Sequence, residues 1–318
     1  MRIVSVAMAA PPCIQTADDL APLIGRSAEW IRESTGVACR RIAADDVSPS
    51  QLAAEAARKA LASTGAPDLI LYAGALAQQI VPDTAAFVQR ELGLVRVPCF
   101  TVNQTCLSFI VALQVANGLL QAGTYRRILI CTGELATRGR SFEEAEAAAL
   151  LGDGGAAAVV ELCDDSGSDL IYSQLETWSD GLDLCAVRAG NHPRPRLETS
   201  YDDLFCFHMS GPRLYRFVRP RLKSFLTTFL ESAGSSIDEV KAIVPHQASG
   251  PGLRLLEQFG FTTNRIVNII ADYGNCAAAS IPMALAVATE AGRIERGDVV
   301  LLVGTAAGVS IGAALLRW

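Results

Sequence analysis

Apolar residues fall into short runs of strand length that alternate with longer segments of helical length. In the first half of the chain, the pattern predicts strands at residues 3–10, 69–73, 99–102, 127–131 and 156–160, and helices at residues 16–34, 48–65, 84–92 and 106–121. Ser48 or Ser50 supplies a start signal for the second helix. Because strands and helices alternate, we predict an α/β fold with a largely parallel sheet covered on both faces.

The second half repeats this order of elements. Strands are predicted at residues 170–178, 242–244, 266–267, 299–303 and 309–316, and helices at residues 212–232, 252–259 and 278–291. A glycine cluster precedes a strand in each half, at residues 152–155 and 304–308. Neither cluster opens a helix after a strand, so neither supports a dinucleotide-binding motif. The repeated order predicts duplicated halves, which we place at residues 1–165 and 166–318.

Two apolar segments resemble membrane signals. Residues 3–10 follow Arg2, as in a signal peptide, and a first strand explains them as well. Residues 299–316 carry no charge and space Gly304, Gly308 and Gly312 as in a dimerising membrane helix. Two strand-length runs separated by a glycine-containing turn explain this segment better, so we expect no membrane span.

Composition narrows the class of protein. Half of the 318 residues are hydrophobic and 19% are charged, as in a compact globular protein. Nine cysteines without a C-x-x-C pair argue against a disulfide framework and against a zinc site, and they predict a reducing, cytoplasmic location. The net charge of −6 argues against general nucleic-acid binding, which requires clustered Lys and Arg.

Residues 102–110 are the most informative stretch, because they predict a strand end, a polar turn and a helix start that carries Cys106. No charged residue occurs from position 97 to 125, and apolar side chains cover every side of the predicted helix, so we expect it to be buried. A thiol at a helix N-terminus is expected to have a pKa below about 8.5. On this stretch alone, Cys106 fits a nucleophile and a packed core cysteine equally well.

Two further polar residues occupy comparable positions. His246 directly follows the predicted strand 242–244, at the carboxyl edge of a sheet. Asn275 lies in a polar turn that opens an alanine-rich helix. Taken singly, such a histidine is more often structural and Gly-Asn is more often a turn. Taken together and in this order, Cys106, His246 and Asn275 predict one shared site.

Over essentially its whole length, the chain resembles a β-ketoacyl-acyl carrier protein synthase III, one of the thiolase-like condensing enzymes. Besides the cysteine turn, the resemblance is carried by Glu29-Trp30-Ile31 with Thr35-Gly36, Gly152-Asp153-Gly154, Val244-Pro245-His246-Gln247-Ala248, Gly274-Asn275 with Ala278-Ala279-Ser280-Ile281-Pro282, and the C-terminal strand ending in Arg317. It implies a thiolase-like fold, with duplicated halves in a five-layer α/β/α/β/α sandwich, and a homodimer. It also implies acyl carrier protein or coenzyme A thioesters as substrates, with no metal and no redox cofactor.

The resemblance further implies a decarboxylative Claisen condensation. Cys106 is then the nucleophile that holds an acyl group as a thioester. His246 and Asn275 handle a malonyl-type thioester, whose enolate forms on loss of CO2 and attacks the acyl group to give a β-ketoacyl product. Backbone N–H groups of Cys106, Ala307 and Gly308 are expected to hold the oxyanion.

Several positions depart from the usual residues of the family around the acyl pocket. Thr105, Leu107 and Ser108 flank the nucleophile where small residues are usual, and residues 306–308 replace a glycine triplet. Val81 stands before a proline where an aromatic residue often limits the pocket, which predicts room for a larger acyl group.

Other departures concern the acyl donor. Ser34 and Ala145 stand where arginines usually grip the coenzyme A nucleotide, whereas Trp30 keeps the stacking surface. We therefore expect a primer other than acetyl-CoA, delivered on a carrier protein. The predicted substrate-binding residues are Trp30, Val81, Leu107 and Phe205.

The predicted helix 212–232 carries a run of basic residues with no acidic residue before Glu231: Arg213, Arg216, Arg219, Arg221 and Lys223. An acidic carrier protein would be steered to such a face. The resemblance places a docking residue at Arg216, with Arg213 beside it. An ordinary solvated helix face explains the same charges.

The sequence therefore leaves three functions to be distinguished. The first is the condensing enzyme, and the second is an acyltransferase that passes the acyl group of Cys106 to an alcohol or amine without condensation. The third is a non-catalytic thiolase-like partner subunit, against which the intact Cys106, His246 and Asn275 argue.

Overall fold

The computed structural model describes residues 1–162, 169–189 and 202–318. The first half contains β1 (Arg2–Ala9), β2 (Cys13–Thr16), α1 (Ala17–Ile24), α2 (Ala28–Thr35), β3 (Cys39–Ile42), α3 (Pro49–Leu61), β4 (Leu69–Tyr72), α4 (Thr84–Glu91), β5 (Cys99–Thr101), α5 (Ser108–Gln121), β6 (Arg127–Leu135), α6 (Ala145–Leu150) and β7 (Asp153–Glu161). The predicted boundary between the halves, at 165/166, lies outside the described residues.

The second half begins at Asp169. It contains β8 (Asp169–Thr177), β9 (Cys185–Val187), β10 (Phe207–Met209), α7 (Gly211–Ser232), β11 (Ala242–Pro245), α8 (Gly250–Glu257), α9 (Ile270–Tyr273), α10 (Ser280–Glu290), β12 (Val299–Ala306) and β13 (Ser310–Arg317). Residues 299–316 thus form two strands, as predicted, and no helix in the described ranges is both long and apolar enough to cross a membrane.

The two large sheets are mixed, so the prediction of a largely parallel sheet was wrong. The first has the order β1-β7-β6-β4-β5, in which β4 is parallel to β5 and β6 while β7 is antiparallel to β1 and β6. The second has the order β11-β12-β13-β8, in which only β11 and β12 are parallel. The turn between β12 and β13 is too short for a crossover, so these strands must pair antiparallel.

The two sheets stack with helices between them and outside them. α5 and α10 lie between the sheets, in a core that includes Ile128 of β6 and Val300 of β12. The next residue of each strand faces outward: Leu129 packs with α3 and α4, and Leu301 packs with α7 and α8. This alternation confirms the predicted five-layer α/β/α/β/α sandwich.

Local differences from the prediction have backbone causes. The predicted helix 16–34 is broken where Gly25 adopts a φ of 62°, and it forms α1 and α2. The predicted strand 266–267 is reduced to one isolated bridge between Ile266 and Ile243. The helix predicted at 106–121 begins at Ser108, two residues after the cysteine.

Candidate active site

Packing of the neighbouring Leu107 holds Cys106 in place. Leu107 is fully buried and lies over two glycines that face each other on β12 and β13. A β-carbon at Gly304 would lie 3.1 Å from Leu107 Cδ2, and one at Gly312 would lie 3.2 Å from Leu107 Cδ1. Larger residues at these positions would displace Leu107 and, with it, the neighbouring Cys106.

Hydrogen bonds fix the polar turn before the thiol. Thr105 adopts a φ of 49°, which is unfavourable for a β-branched residue, and its N–H donates to Asn103 Oδ1 over 2.8 Å. The N–H of Gln104 donates to Ser108 Oγ over 2.9 Å. Ser108 Oγ also lies within 3.1 Å of the carbonyl oxygens of Gly74 and Thr105. These contacts compensate for the strained backbone beside Cys106.

His246 is held by the backbone on either side of it. The main-chain N–H of His246 donates to the Val303 carbonyl over 2.8 Å. The next residue, Gln247, is buried, and its amide donates to the Pro245 and Val267 carbonyls and accepts from the Ile269 N–H. The His246 side chain is 5% exposed, and its Nδ1 has no hydrogen-bond partner in the described part of the chain. Burial lowers the pKa of His246 to about 4, so the imidazole is neutral at physiological pH.

Two glycines bring Asn275 to the sheet edge. A β-carbon at Gly152 would lie 2.0 Å from the Tyr273 carbonyl oxygen, and Gly274 has a φ of 68°. Because the backbones at Gly152 and Tyr273 approach each other closely, the main-chain N–H of Asn275 can donate to the Leu150 carbonyl over 2.9 Å. The Asn275 Oδ1 accepts from the Ala277 N–H over 2.9 Å, and one side-chain N–H donates to the Ala248 carbonyl over 3.4 Å. The other side-chain N–H is left as the donor available to a ligand.

One cavity, with a volume of about 170 Å³, is lined by Cys106, His246, Asn275 and Ala307. The structure therefore brings together the three predicted catalytic side chains and two of the three predicted oxyanion residues, Cys106 and Ala307. Gly308 lies in the same turn without lining the cavity, and its φ of 138° is accessible to glycine alone.

Ser310 connects the nucleophile turn to the turn at Ala307. Gln104 Nε2 donates to Ser310 Oγ over 3.0 Å, and Ser310 Oγ lies 2.7 Å from Thr177 Oγ1. The two halves of the chain are thus joined by hydrogen bonds beside the cavity, which fixes the distance between the thiol and the predicted oxyanion turn.

The expectation of a lowered pKa at Cys106 was wrong. Burial, followed by smaller contributions from the nearby Cys185 and Glu134, raises the pKa of the Cys106 thiol to about 12. Helix α5 begins two residues after the thiol, so its terminal N–H groups do not offset the desolvation of a thiolate. Cys106 is therefore a thiol at physiological pH.

None of the four predicted substrate-binding residues lines this cavity. Leu107 is a core residue, as described above. Trp30 and Ala145 both pack against the buried cluster of α1, α2 and α6, and the Arg26 guanidinium lies 5.4 Å from the centre of the Trp30 ring. Val81 is 77% exposed and Phe205 is 49% exposed, both outside the cavity of a single chain.

Only some of the basic side chains on the predicted docking helix are exposed to a partner. Arg213 and Arg216 are exposed on α7, close to Gly211 and Leu214, which line the cavity. Arg221 instead lies 3.6 Å from the ring centre of Phe217 and pairs with Asp180.

Sequence reasoning missed two ionisable residues near Cys106. Glu134 is 3% exposed and accepts the Ala75 N–H over 2.5 Å; burial raises its pKa to about 8. Its signal in the sequence was a single acidic residue in an otherwise uncharged stretch, residues 128–137. Cys185 lines the cavity with Cys106, and burial raises its pKa to about 11. Nothing in the sequence distinguished it from the other cysteines.

No group of three or more His, Cys, Asp or Glu side chains that could hold a metal ion occurs within the described residues.

Comparisons with known proteins agree with this architecture. The family model for 3-oxoacyl-[acyl-carrier-protein] synthase III matches residues 100–179, and the model for the C-terminal part of that enzyme matches residues 230–318. Among curated proteins, the β-ketoacyl-[acyl-carrier-protein] synthase III of Rickettsia bellii is 30% identical over 97% of this chain and 96% of its own length. That of Roseobacter denitrificans is 34% identical over 91% of this chain and 90% of its own length.

A solved structure gives the same result for the fold. The 3-oxoacyl-[acyl-carrier-protein] synthase III of Aquifex aeolicus superimposes with a TM-score of 0.91 at 29% sequence identity, over 100% of this chain and 99% of that one. The fold is therefore thiolase-like. The chain belongs to the 3-oxoacyl-[acyl-carrier-protein] synthase III family and is an enzyme of the acyltransferase type.

Proposed function

We propose that this enzyme forms a β-ketoacyl thioester by decarboxylative condensation of an acyl group on Cys106 with a malonyl-type thioester, and that its primer is not acetyl-CoA. The observation that carries the proposal is the single cavity lined by Cys106, His246 and Asn275. These are a sulfur nucleophile, a neutral imidazole and an amide donor, which are the groups that the two half-reactions require.

The first half-reaction loads the nucleophile. The Cys106 sulfur attacks the thioester carbonyl of the donor, and the backbone N–H groups of Cys106 and Ala307, which line the cavity, hold the oxyanion. The carbon–sulfur bond of the donor breaks, and the donor thiol leaves with the proton that Cys106 gives up. Because burial keeps Cys106 protonated, the proton transfer accompanies formation of the new bond rather than preceding it.

The second half-reaction forms the carbon–carbon bond. The malonyl carboxylate leaves as CO2, and its electron pair forms an enolate whose oxygen accepts hydrogen bonds from neutral His246 and from the Asn275 amide. The enolate carbon attacks the acyl carbonyl, the bond to the Cys106 sulfur breaks, and the sulfur takes up one proton. Burial of His246 supports this role, because an imidazole with a pKa of about 4 stays neutral while it donates.

The donor is proposed to arrive on a carrier protein rather than as coenzyme A. Ser34 and Ala145 provide no cation for the nucleotide phosphates. At Gly211, which lines the cavity, a β-carbon would lie 2.9 Å from a Glu146 carboxylate oxygen. A carboxylate beside the cavity disfavours coenzyme A, which carries more phosphate groups than a carrier-bound pantetheine arm. Arg213 and Arg216 are exposed on the same helix and suit an acidic carrier.

We also propose that the protein is a homodimer and that its interface is the face around β5, the edge strand of the first sheet. Ile80, Val81, Val95 and Phe100 expose apolar side chains there. An unpaired edge with exposed apolar residues suits pairing with a second copy. Phe100→Asp is expected to give monomers in light scattering, and an unchanged mass would argue against this interface.

On its cysteine usage, we also propose a cytoplasmic location.

Product analysis tests the reaction. The protein is incubated with malonyl-carrier protein and one donor at a time: acetyl-CoA, hexanoyl-CoA or hexanoyl-carrier protein. We expect a β-ketoacyl-carrier product with release of CO2, fastest from the hexanoyl carrier. Acyl transfer to an added alcohol or amine without CO2 would favour the simple acyltransferase, and no turnover would favour a partner subunit. Rapid use of acetyl-CoA would contradict the proposed primer.

A charge reversal tests the docking residues. Arg216→Glu is expected to raise KM for the carrier substrate while leaving turnover of a small thioester donor unchanged, because the change affects encounter with the carrier only. Equal use of the carrier by the variant and the wild type would remove Arg216 from the docking surface.

A further inference from the structure

The cavity at Cys106 extends beyond the reaction centre into the buried cluster that α7 and α8 form with the outer face of the second sheet. Five hydrocarbon side chains line this extension, which we call the α7–α8 arm: Val218, Leu222, Leu255, Leu256 and Val303. We propose that the α7–α8 arm binds the aliphatic chain of the acyl group that Cys106 carries. This inference rests on the proposed function, because it names the class of acyl donor for the same site.

The chemistry of the lining divides the cavity into two parts. Tyr215, Ser249 and Asn275 provide polar side-chain groups to the lining outside the α7–α8 arm. The α7–α8 arm provides only methyl and methylene groups. The amide groups of a pantetheine arm would lose their hydrogen bonds there without compensation, whereas a hydrocarbon chain would lose none. A straight alkyl chain is therefore the occupant that fits.

The helices that form the arm are rigid parts of the fold. Val218 and Leu222 are one helical turn apart on α7, so both side chains lie on the same face. That helix packs through Phe225 and Phe229, whose ring centroids are 5.9 Å apart, against the outer face of the second sheet. The arm is thus a built space between two helices of one layer rather than a surface groove.

The volume of the cavity limits the chain. A cavity of about 150 Å³ lined by Leu, Ile and Phe admits a six-carbon ring. The whole cavity here has a volume of about 170 Å³ and includes the reaction centre, so this volume is an upper limit for the acyl chain. We therefore expect acyl groups of about four to six carbons to bind best, since longer chains would displace packed side chains. An acetyl group would leave the arm empty.

The expected preference follows from burial of methylene groups. Each methylene that moves from water into the arm is worth about a fourfold gain in affinity. Hexanoyl has four more methylenes than acetyl, so we expect it to load Cys106 faster by on the order of a hundredfold in kcat/KM.

Acylation of Cys106 by small donors tests this inference without coenzyme A or a carrier. The donors are N-acetylcysteamine thioesters with acyl chains from acetyl to decanoyl, and the readout is the rate of mass gain of the intact protein. Leu222→Phe and Leu256→Phe narrow the arm, and both are expected to lower the hexanoyl-to-acetyl rate ratio by at least about tenfold. Val218→Ala widens the arm and is expected to move the optimum to a longer chain.

The matched control is Leu230→Phe, which overpacks the same buried cluster on α7 without lining the cavity. It is expected to keep the wild-type rate ratio. The inference is overturned if the narrowing variants keep the wild-type ratio, if Leu230→Phe lowers it as much as they do, or if Val218→Ala leaves the optimum unmoved. Absence of acylation of the wild type by every donor would instead overturn the proposed function.

Discussion

Glu134→Gln removes a buried carboxyl group and keeps an oxygen that can accept the Ala75 N–H. In the native protein, burial raises the pKa of Glu134 from 4.5 to about 8. The folded state therefore holds this proton more tightly than the unfolded chain does. The stability that Glu134 contributes is fully present below about pH 4.5 and is lost as the pH rises through about 8.

The size of the effect follows from this difference in pKa, at about 1.36 kcal/mol for each tenfold change in proton affinity. Between about pH 5 and about pH 9, the native protein is expected to lose about 4 kcal/mol of unfolding free energy through Glu134. The Gln variant does not titrate at this position. It should therefore gain about 4 kcal/mol relative to the native protein over the same pH range.

Urea unfolding at the two pH values measures this difference, with the free energy extrapolated to water. Glu231→Gln is the matched control, because Glu231 is exposed. We expect no pH-dependent difference between the control and the native protein. If Glu134→Gln and the native protein lose stability in parallel from about pH 5 to about pH 9, the buried carboxyl is not held in its neutral form and the reasoning is wrong.

Three further predictions concern the site itself. In Gly304→Ala, the new β-carbon would lie 2.7 Å from His246 Cβ and 3.1 Å from Leu107 Cδ2, so we expect a loss of about 1–3 kcal/mol in thermal unfolding together with slower condensation; full activity would contradict the packing argument. Ser310→Ala removes a buried partner of Gln104 and Thr177, so we expect a loss of about 1–3 kcal/mol of stability and a Cys106 acylation rate lower by on the order of tenfold in a stopped-flow assay, whereas an unchanged rate would show that the two turns are positioned independently. Condensation should be constant above about pH 5 and fall as the pH drops through 4, where His246 becomes charged; a pH–rate profile with a midpoint near the ordinary histidine pKa of 6.5 would contradict a buried neutral imidazole.

The parts of the fold that the sequence could predict are those with a strong local signal. Continuous apolar runs such as residues 127–131 located the buried strands, and the chemistry of Cys106, His246 and Asn275 at element ends located the site. Strand direction in the mixed sheets could not be read from these runs, because a strand buried on both faces has the same pattern whether its neighbour is parallel or antiparallel.

Long-range packing explains the remaining differences. The pKa of Cys106 was predicted from its helix alone, but it depends on the desolvation that the whole cavity imposes. Leu107 was predicted to touch substrate because it adjoins the nucleophile. Its role in the core became visible only when Gly304 and Gly312 were seen to face each other across β12 and β13.

A pulse–chase measurement on the intact protein tests the central claim most directly. The protein is first loaded with an acyl thioester and then mixed with malonyl-carrier protein, while the mass of the peptide that contains Cys106 is followed. We predict that the acyl mass appears on Cys106 and is then lost as an equal amount of β-ketoacyl product forms, and that His246→Ala and Asn275→Ala load normally but do not release the acyl group into product. An acyl group on another residue, or full condensation by both variants, would contradict it.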